Sequence, residues 1–178
     1  MAWTTPATFV SGAVLTAAQM NAISANLNET APAKVGGAGG IIVPSGVNAI
    51  SSRSVAEDII DATGTTTSTT YVDIGPGPTV AITTGAKALV IISAFVQNNT
   101  SGQAVACAID ISGASTIPAS DGRAIRFNAN AASDYGRHSA VTLETGLTGG
   151  LNSFVMKYRV SGGTGTFANR RVAVIPLS

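Results

Sequence analysis

Residues 86–112 read AKALVIISAFVQNNTSGQAVACAIDIS, and their pattern decides the fold class. The first half, Ala86–Asn98, is a β-branched and aromatic run with apolar residues at both odd and even positions. Such a run belongs in the middle of a sheet or against another subunit, because both of its faces need cover. Asn98-Asn99-Thr100-Ser101-Gly102 is turn chemistry. The run Ala104–Ser112 that follows alternates, as a strand with one buried face does. Two such strands separated by turn residues point to antiparallel β-structure.

The same punctuation continues outward in both directions. Candidate strands are Ser54–Ile60, Thr69–Ile74, Thr79–Thr83, Gly122–Asn130, Ser139–Thr145, Asn152–Ser161 and Arg170–Pro176. Turn-formers separate them: GPGP at 75–78, DG at 121–122, TGG at 148–150 and GGTG at 162–165. The segment SVAEDII at 54–60 is also compatible with a helical turn. Short strands at regular spacing predict a mainly β chain, an antiparallel sandwich or jelly roll, over residues 47–178.

Residues 1–31 are of a different kind. Trp3 and Phe9 are large apolar groups in an extended segment too short to bury them itself. Thr16-Ala17-Ala18-Gln19 matches the capping box, in which the Thr hydroxyl and the Gln side chain satisfy helix-end N–H groups reciprocally. Leu15 before the cap and Met20 after it fit the hydrophobic staple. Met20, Ile23 and Leu27 then form one apolar stripe, and Pro32 ends the helix. A helix of about four turns is marginal alone in water, so Trp3, Phe9, Leu15, Met20, Ile23 and Leu27 are the expected attachment or oligomerisation residues. Residues 32–46, with four glycines among positions 36–40, read as a Gly-rich linker.

Only 11 % of the residues are charged, against roughly 25 % in a typical domain. A charge-poor surface is the mark of a chain that covers itself with partners, so a homo-oligomer is expected. The net charge of +1 supplies no drive toward nucleic acid or an anionic membrane. The charges are nonetheless uneven: residues 1–86 hold five acids and two bases, residues 87–178 four acids and eight bases. Cys107 is the one cysteine and reads as a small core hydrophobe. The N-terminus lacks a basic, uninterrupted apolar leader, and no apolar run approaches the ~20 residues of a spanning helix. Assembly in a reducing cytoplasm without membrane insertion is therefore expected.

The motif search yields no catalytic residue, no cofactor site and no metal site. His138 is the single histidine, without a G-x-S-x-G elbow or a zinc ligand set. The glycines at 36–40 and 162–165 lack a Walker lysine. Glu57, Asp58 and Asp61 lack any sign of a sugar groove. Asp134, Tyr135, Arg137 and His138, read as one polar loop, form a candidate receptor-binding loop for a host-surface glycan. Arg170-Arg171 reads equally as an intersubunit ion-pair partner or a ligand contact.

The opening segment carries a resemblance. Met-Ala-Trp-Thr-Thr-Pro, then Phe9-Val10-Ser11-Gly12, then Val14-Leu15-Thr16-Ala17-Ala18-Gln19-Met20-Asn21 and Asn26-Leu27-Asn28, resembles the N-terminus of bacteriophage virion proteins of the tail and minor structural class. Thr67–Ile74 and Ala86–Val90 look, more loosely, like strands of phage fibre and appendage domains. The resemblance implies a non-enzymatic virion component, contacting other virion proteins through its N-terminus and projecting the β-domain, with a homotrimer as the usual symmetry. The heptads or triple-β repeats of a fibre shaft are absent, so a short spike, fibre knob or head or tail decoration is implied. A glycan-binding module of such an appendage is the alternative. A polysaccharide-degrading tailspike lacks its parallel-β-helix repeat here.

Overall fold

The computed structural model describes residues 16–21, 23, 41–46 and 49–177. The chain divides into two compact units, Met1–Ser54 and Val55–Ser178.

In the first unit the capping box is formed. The Thr16 backbone N–H donates to Gln19 Oε1 at 2.9 Å and the Gln19 N–H donates to Thr16 Oγ1 at 3.3 Å. Residues 17–21 are helical, and the Met20 N–H reaches the Thr16 carbonyl at 3.0 Å. Met20 is exposed and Ile23 half-buried, while Trp3, Phe9, Leu15 and Leu27 lie outside the described residues. The expected linker over 32–46 is corrected at its C-terminal end. Strand β1 (Ile41–Gly46) pairs antiparallel with β2 (Ala49–Arg53). Ile41, Ile42 and Val43 favour extended backbone, and the glycines that suggested a linker precede them.

The second unit is an antiparallel β-sandwich. Its strands are β3 (Ala56–Ile60), β4 (Gly64–Thr66), β5 (Thr79–Thr84), β6 (Lys87–Asn98), β7 (Ala104–Gly113), β8 (Ile125–Asn128), β9 (Asp134–Thr145), β10 (Gly150–Val160) and β11 (Gly165–Pro176). Sheet I has the order β3-β11-β6-β9, with β4 also pairing β11; sheet II has the order β5-β10-β7-β8. From β4 onward the chain changes sheet at every connection except β7–β8. With β3 and β4 side by side on β11, this is the strand order of a jelly roll.

Period-two alternation supplies the core. On β10, Asn152, Phe154, Met156, Tyr158 and Val160 point inward and are buried; on β6, Val90, Ile92, Ala94 and Val96 do the same. The rings of Tyr158 (sheet II) and Phe167 (sheet I) meet across the layers with centroids 4.9 Å apart. Cys107 is buried and free, and burial pushes its thiol pKa up to about 12.

Sequence and structure differ at several strands. Thr69–Ile74 alternates like a strand, yet only Val72 makes a bridge, to Tyr158, because the segment is crossing between sheets. Gly122–Asn130 shortens to β8, its start taken by a 3-10 turn over Asp121–Arg123. The strand expected at 54–60 forms as β3 over Ala56–Ile60, and the helical-turn alternative does not, because β11 offers a partner edge.

Two buried asparagines pin the ends of the sandwich. Asn98 Nδ2 donates to the Gly162 carbonyl at 3.0 Å, and its Oδ1 accepts from Thr100 N–H at 2.9 Å. Asn152 at the other end accepts from Ser115 N–H at 2.7 Å and donates to Thr84 Oγ1 at 2.8 Å. Next to it, Gly113 has φ +99°, and a Cβ there would lie 2.5 Å from the Leu151 carbonyl oxygen. Asn152→Ala therefore leaves buried polar groups without partners and is expected to cost about 1–3 kcal/mol in urea unfolding. Outward-facing Ser153→Ala should change stability by no more than about 0.5 kcal/mol.

Candidate functional site

The four residues read from sequence as one loop lie instead on β9, the edge strand of sheet I. The turn-rich composition is overridden by pairing: every residue from Asp134 to Thr145 faces a residue of β6. Alternation then sends the four side chains to two sides. Tyr135 and Arg137 point outward and are exposed, Tyr135 packing on Phe95 with ring centroids 5.4 Å apart. Asp134 and His138 lie on the inner side. Asp134 accepts from Asn130 and Tyr135 N–H groups at 3.0 Å each, closing the β8–β9 turn. The His138 ring lies 5.0 Å from Phe127 on β8, and its Nε2 is buried without a hydrogen-bond partner. The proposed glycan loop thus does not converge on one surface.

The polar loops at that end of the sandwich are occupied with one another. Asn99 Oδ1 accepts from Thr164 N–H at 2.8 Å, Ser101 Oγ donates to the Asn130 carbonyl at 3.0 Å, and Gln97 Nε2 donates to the Ser133 carbonyl at 3.0 Å.

The carboxylates of 57–61 do not act as a pair either. Asp58 Oδ1 accepts from Ile59 N–H and its Oδ2 from Thr79 N–H on β5, both at 2.8 Å, which ties the two sheets at their edge. Glu57 and Asp61 are exposed. Among the described residues no three His, Cys, Asp or Glu side chains group as a metal site, and no helix is long and apolar enough to cross a membrane.

Arg170 and Arg171, taken together from the sequence, have opposite fates. A register shift between Ala168 and Arg171, with Asn169 at φ +48°, turns Arg170 into the sandwich. There it is 1 % exposed, its Nη2 donates to the Ala62 carbonyl at 3.0 Å, and its guanidinium sits 5.4 Å from the Tyr158 ring centre. Arg170 is therefore excluded as an intersubunit or ligand contact. Arg171 is exposed on sheet I.

A charged cluster on sheet II escaped the sequence reading. Asp121, in the 3-10 turn, receives Tyr71 OH at 2.9 Å and both Nε and Nη2 of Arg159. Arg126 of β8 approaches Asp121 Oδ2 at 3.7 Å. Arg159 and Arg126 sit on the strands flanking β7, so segment 114–124 is strapped across the outer face of β7. Ala106 and Ala108 on that face are buried as a result. The four residues are separated by up to 88 positions in the chain, and no local pattern links them. Hydrogen bonding to Arg159, then to Tyr71, holds the Asp121 carboxyl below the usual carboxylate range. Burial, reinforced by Asp121, pushes the Tyr71 phenol up to about 12. Nearby, Lys157 Nζ meets Asp73 at 2.7 Å, and Arg123 meets inward-facing Glu144 at 3.2 Å. These charges fasten loops to strands.

No protein-family model matches the sequence, and no curated protein matches it. Among solved structures the chain is similar to Eiger TNF from S. frugiperda, at 6 % identity over 70 % of this chain and 93 % of that one, TM-score 0.49. It is also similar to structures of infectious bursal disease virus. The Gt strain gives 9 % identity over 76 % of this chain and 37 % of that one, TM-score 0.46. The Gx strain gives 10 %, 78 % and 38 %, TM-score 0.47. The chain thus spans less than half of the viral chains it matches.

The strap predicts an acid-side stability loss. Because the folded-state pKa of Asp121 is lowered, its contribution is complete above the unfolded-state value of about 3.9. It disappears as pH falls through the lower folded-state pKa. Thermal unfolding followed between pH 7 and pH 2 should show this decline in the native chain. In Asp121→Asn the decline should be shallower, starting from a lower stability at pH 7.

Proposed function

We propose that this chain is a non-enzymatic structural component of a bacteriophage virion: a short spike, fibre knob or decoration. In this reading its N-terminal unit fixes it to other virion proteins and its β-sandwich is presented outward. The observation that carries the reading is the division of the chain at Ser54/Val55 into two compact units. A segment that attaches and a domain that is displayed need to be separable in this way. The formed Thr16–Gln19 capping box adds support, because it lies within the stretch on which the phage resemblance rests.

The use of charge in the sandwich supports the non-enzymatic part of the reading. Asp58, Asp121, Asp134 and Glu144 each hold backbone N–H groups or a cationic side chain. A general acid or base needs to face substrate, and these carboxylates are engaged by groups of their own chain.

The test is incorporation. A chain lacking residues 1–54 should be produced as a folded β-protein, with the far-UV spectrum of antiparallel sheet, and should be missing from purified particles. Particles carrying the truncated chain at normal copy number would overturn the attachment role.

A further inference from the structure

The two outer faces of the sandwich are treated differently by the chain. On sheet II, segment 114–124 crosses β7 and is held there by Asp121, Arg159 and Tyr71. On sheet I, the outward residues of β9 are exposed, with Val141 at 60 % and Leu143 at 56 %. They continue in register onto β6 and β11: Leu143–Leu89–Ile175 form one row and Val141–Ile91–Ala173 the next. Arg137 is exposed further along β9, opposite Phe95.

The opposite edge of the same sheet carries the complementary pattern. β3 and the residues flanking it place Val55, Glu57, Ile59 and Asp61 at alternate positions, hence on one side of the strand. Val55, Glu57 and Asp61 are exposed and Ile59 is half-buried. One edge therefore offers Arg137 on the same side as apolar side chains, and the other offers two acids interleaved with apolar side chains, with one base, the exposed Arg171 of β11, opposite Ile59. Of the unevenly distributed charges, Glu57 and Asp61 thus come to lie at one edge of sheet I and Arg137 at the other.

We infer that the outer strip of β9 (Arg137, Val141, Leu143) docks on the β3 strip (Val55, Glu57, Ile59, Asp61) of a second copy of this chain. The occupant is a second copy because each chain carries both halves of the contact, matched in charge and each with apolar groups. A contact between two different patches is heterologous: it closes into a ring of three or more copies, or it runs on as an open filament. Apolar burial supplies the attraction, and the Arg137-to-acid pairing fixes which edge meets which. The inference goes beyond the proposed function by naming a second copy as partner, and it is tested on the purified full chain, without particles. Failure of particle attachment and failure of this contact are therefore separate results.

The experiment is light scattering coupled to size exclusion on the full-length chain, with circular dichroism as the folding control. The native chain should run at three or more times its 17.7 kDa mass. Arg137→Glu should move it to the single-chain mass, and Glu57→Arg with Asp61→Arg should do the same, each with an unchanged β spectrum. All three substitutions in one chain reverse both edges together and should restore the native mass. Val141→Asp with Leu143→Asp should give the single-chain mass without rescue. A native chain that stays at 17.7 kDa throughout the accessible concentration range overturns the inference. An assembly whose mass is unchanged by either charge reversal overturns it as well.

Discussion

The contact between the inner faces of the two sheets, centred on Phe154, Tyr158 and Phe167, is what the rest of the domain depends on. All three side chains are fully buried, and truncating a ring of this size in a core typically costs about 3–5 kcal/mol. Because side chains alternate along a strand, placing these rings inward fixes the facing of every other residue on β10 and on β11 as far as its bulge. A slip of one residue would put Lys157 and Arg159 into the core and Phe154 into solvent. The buried asparagines occupy inward positions at the strand ends, where the core gives way to loops. There an amide can reach several backbone groups at once, and the loops are pinned without breaking the alternation.

In the sandwich, the bulge before Arg171 resets the alternation. It separates Arg170 from the outer face and lodges its guanidinium against Tyr158 and the Ala62 carbonyl. A buried guanidinium is costly unless its donors are satisfied. Here the aromatic face and the carbonyl satisfy part of it, while Nε has no hydrogen-bond partner among the described residues. Elsewhere charge works on the outside of sheet II, where Asp121 converts an irregular segment into a fixed cover. That leaves sheet I as the face with apolar rows and, among the described residues, no strap, in a chain with few charges.

Much of the strand inventory was legible because turns and alternation are local. The spans of β6, β7 and β10 follow the predicted runs to within two residues at each end. The helix start at Thr16 was legible for the same reason, since a capping box involves neighbours three positions apart. The candidate site was not. Asp134–His138 has the composition of a loop, and only pairing with the length of β6 makes it a strand. Pairing partners are 40 residues away in sequence and leave no mark in the composition of the segment. Segment 69–74 shows the reverse error: a strand-like pattern without a free edge along its length to pair with.

The sequence by itself determined the class of the molecule: an antiparallel β-domain behind a short capped helix, poor in charge and without an assembled set of catalytic or metal-binding motifs. Those properties rest on periodicity, turn residues and composition, each read within a few positions. Only the tertiary structure decided which of two adjacent arginines is buried, which carboxylate straps a loop, and that Arg137 and the Glu57/Asp61 pair lie on opposite edges of one sheet. Each of these depends on strands brought together from distant parts of the chain, where register sets the facing of a side chain and the order of strands sets its neighbours.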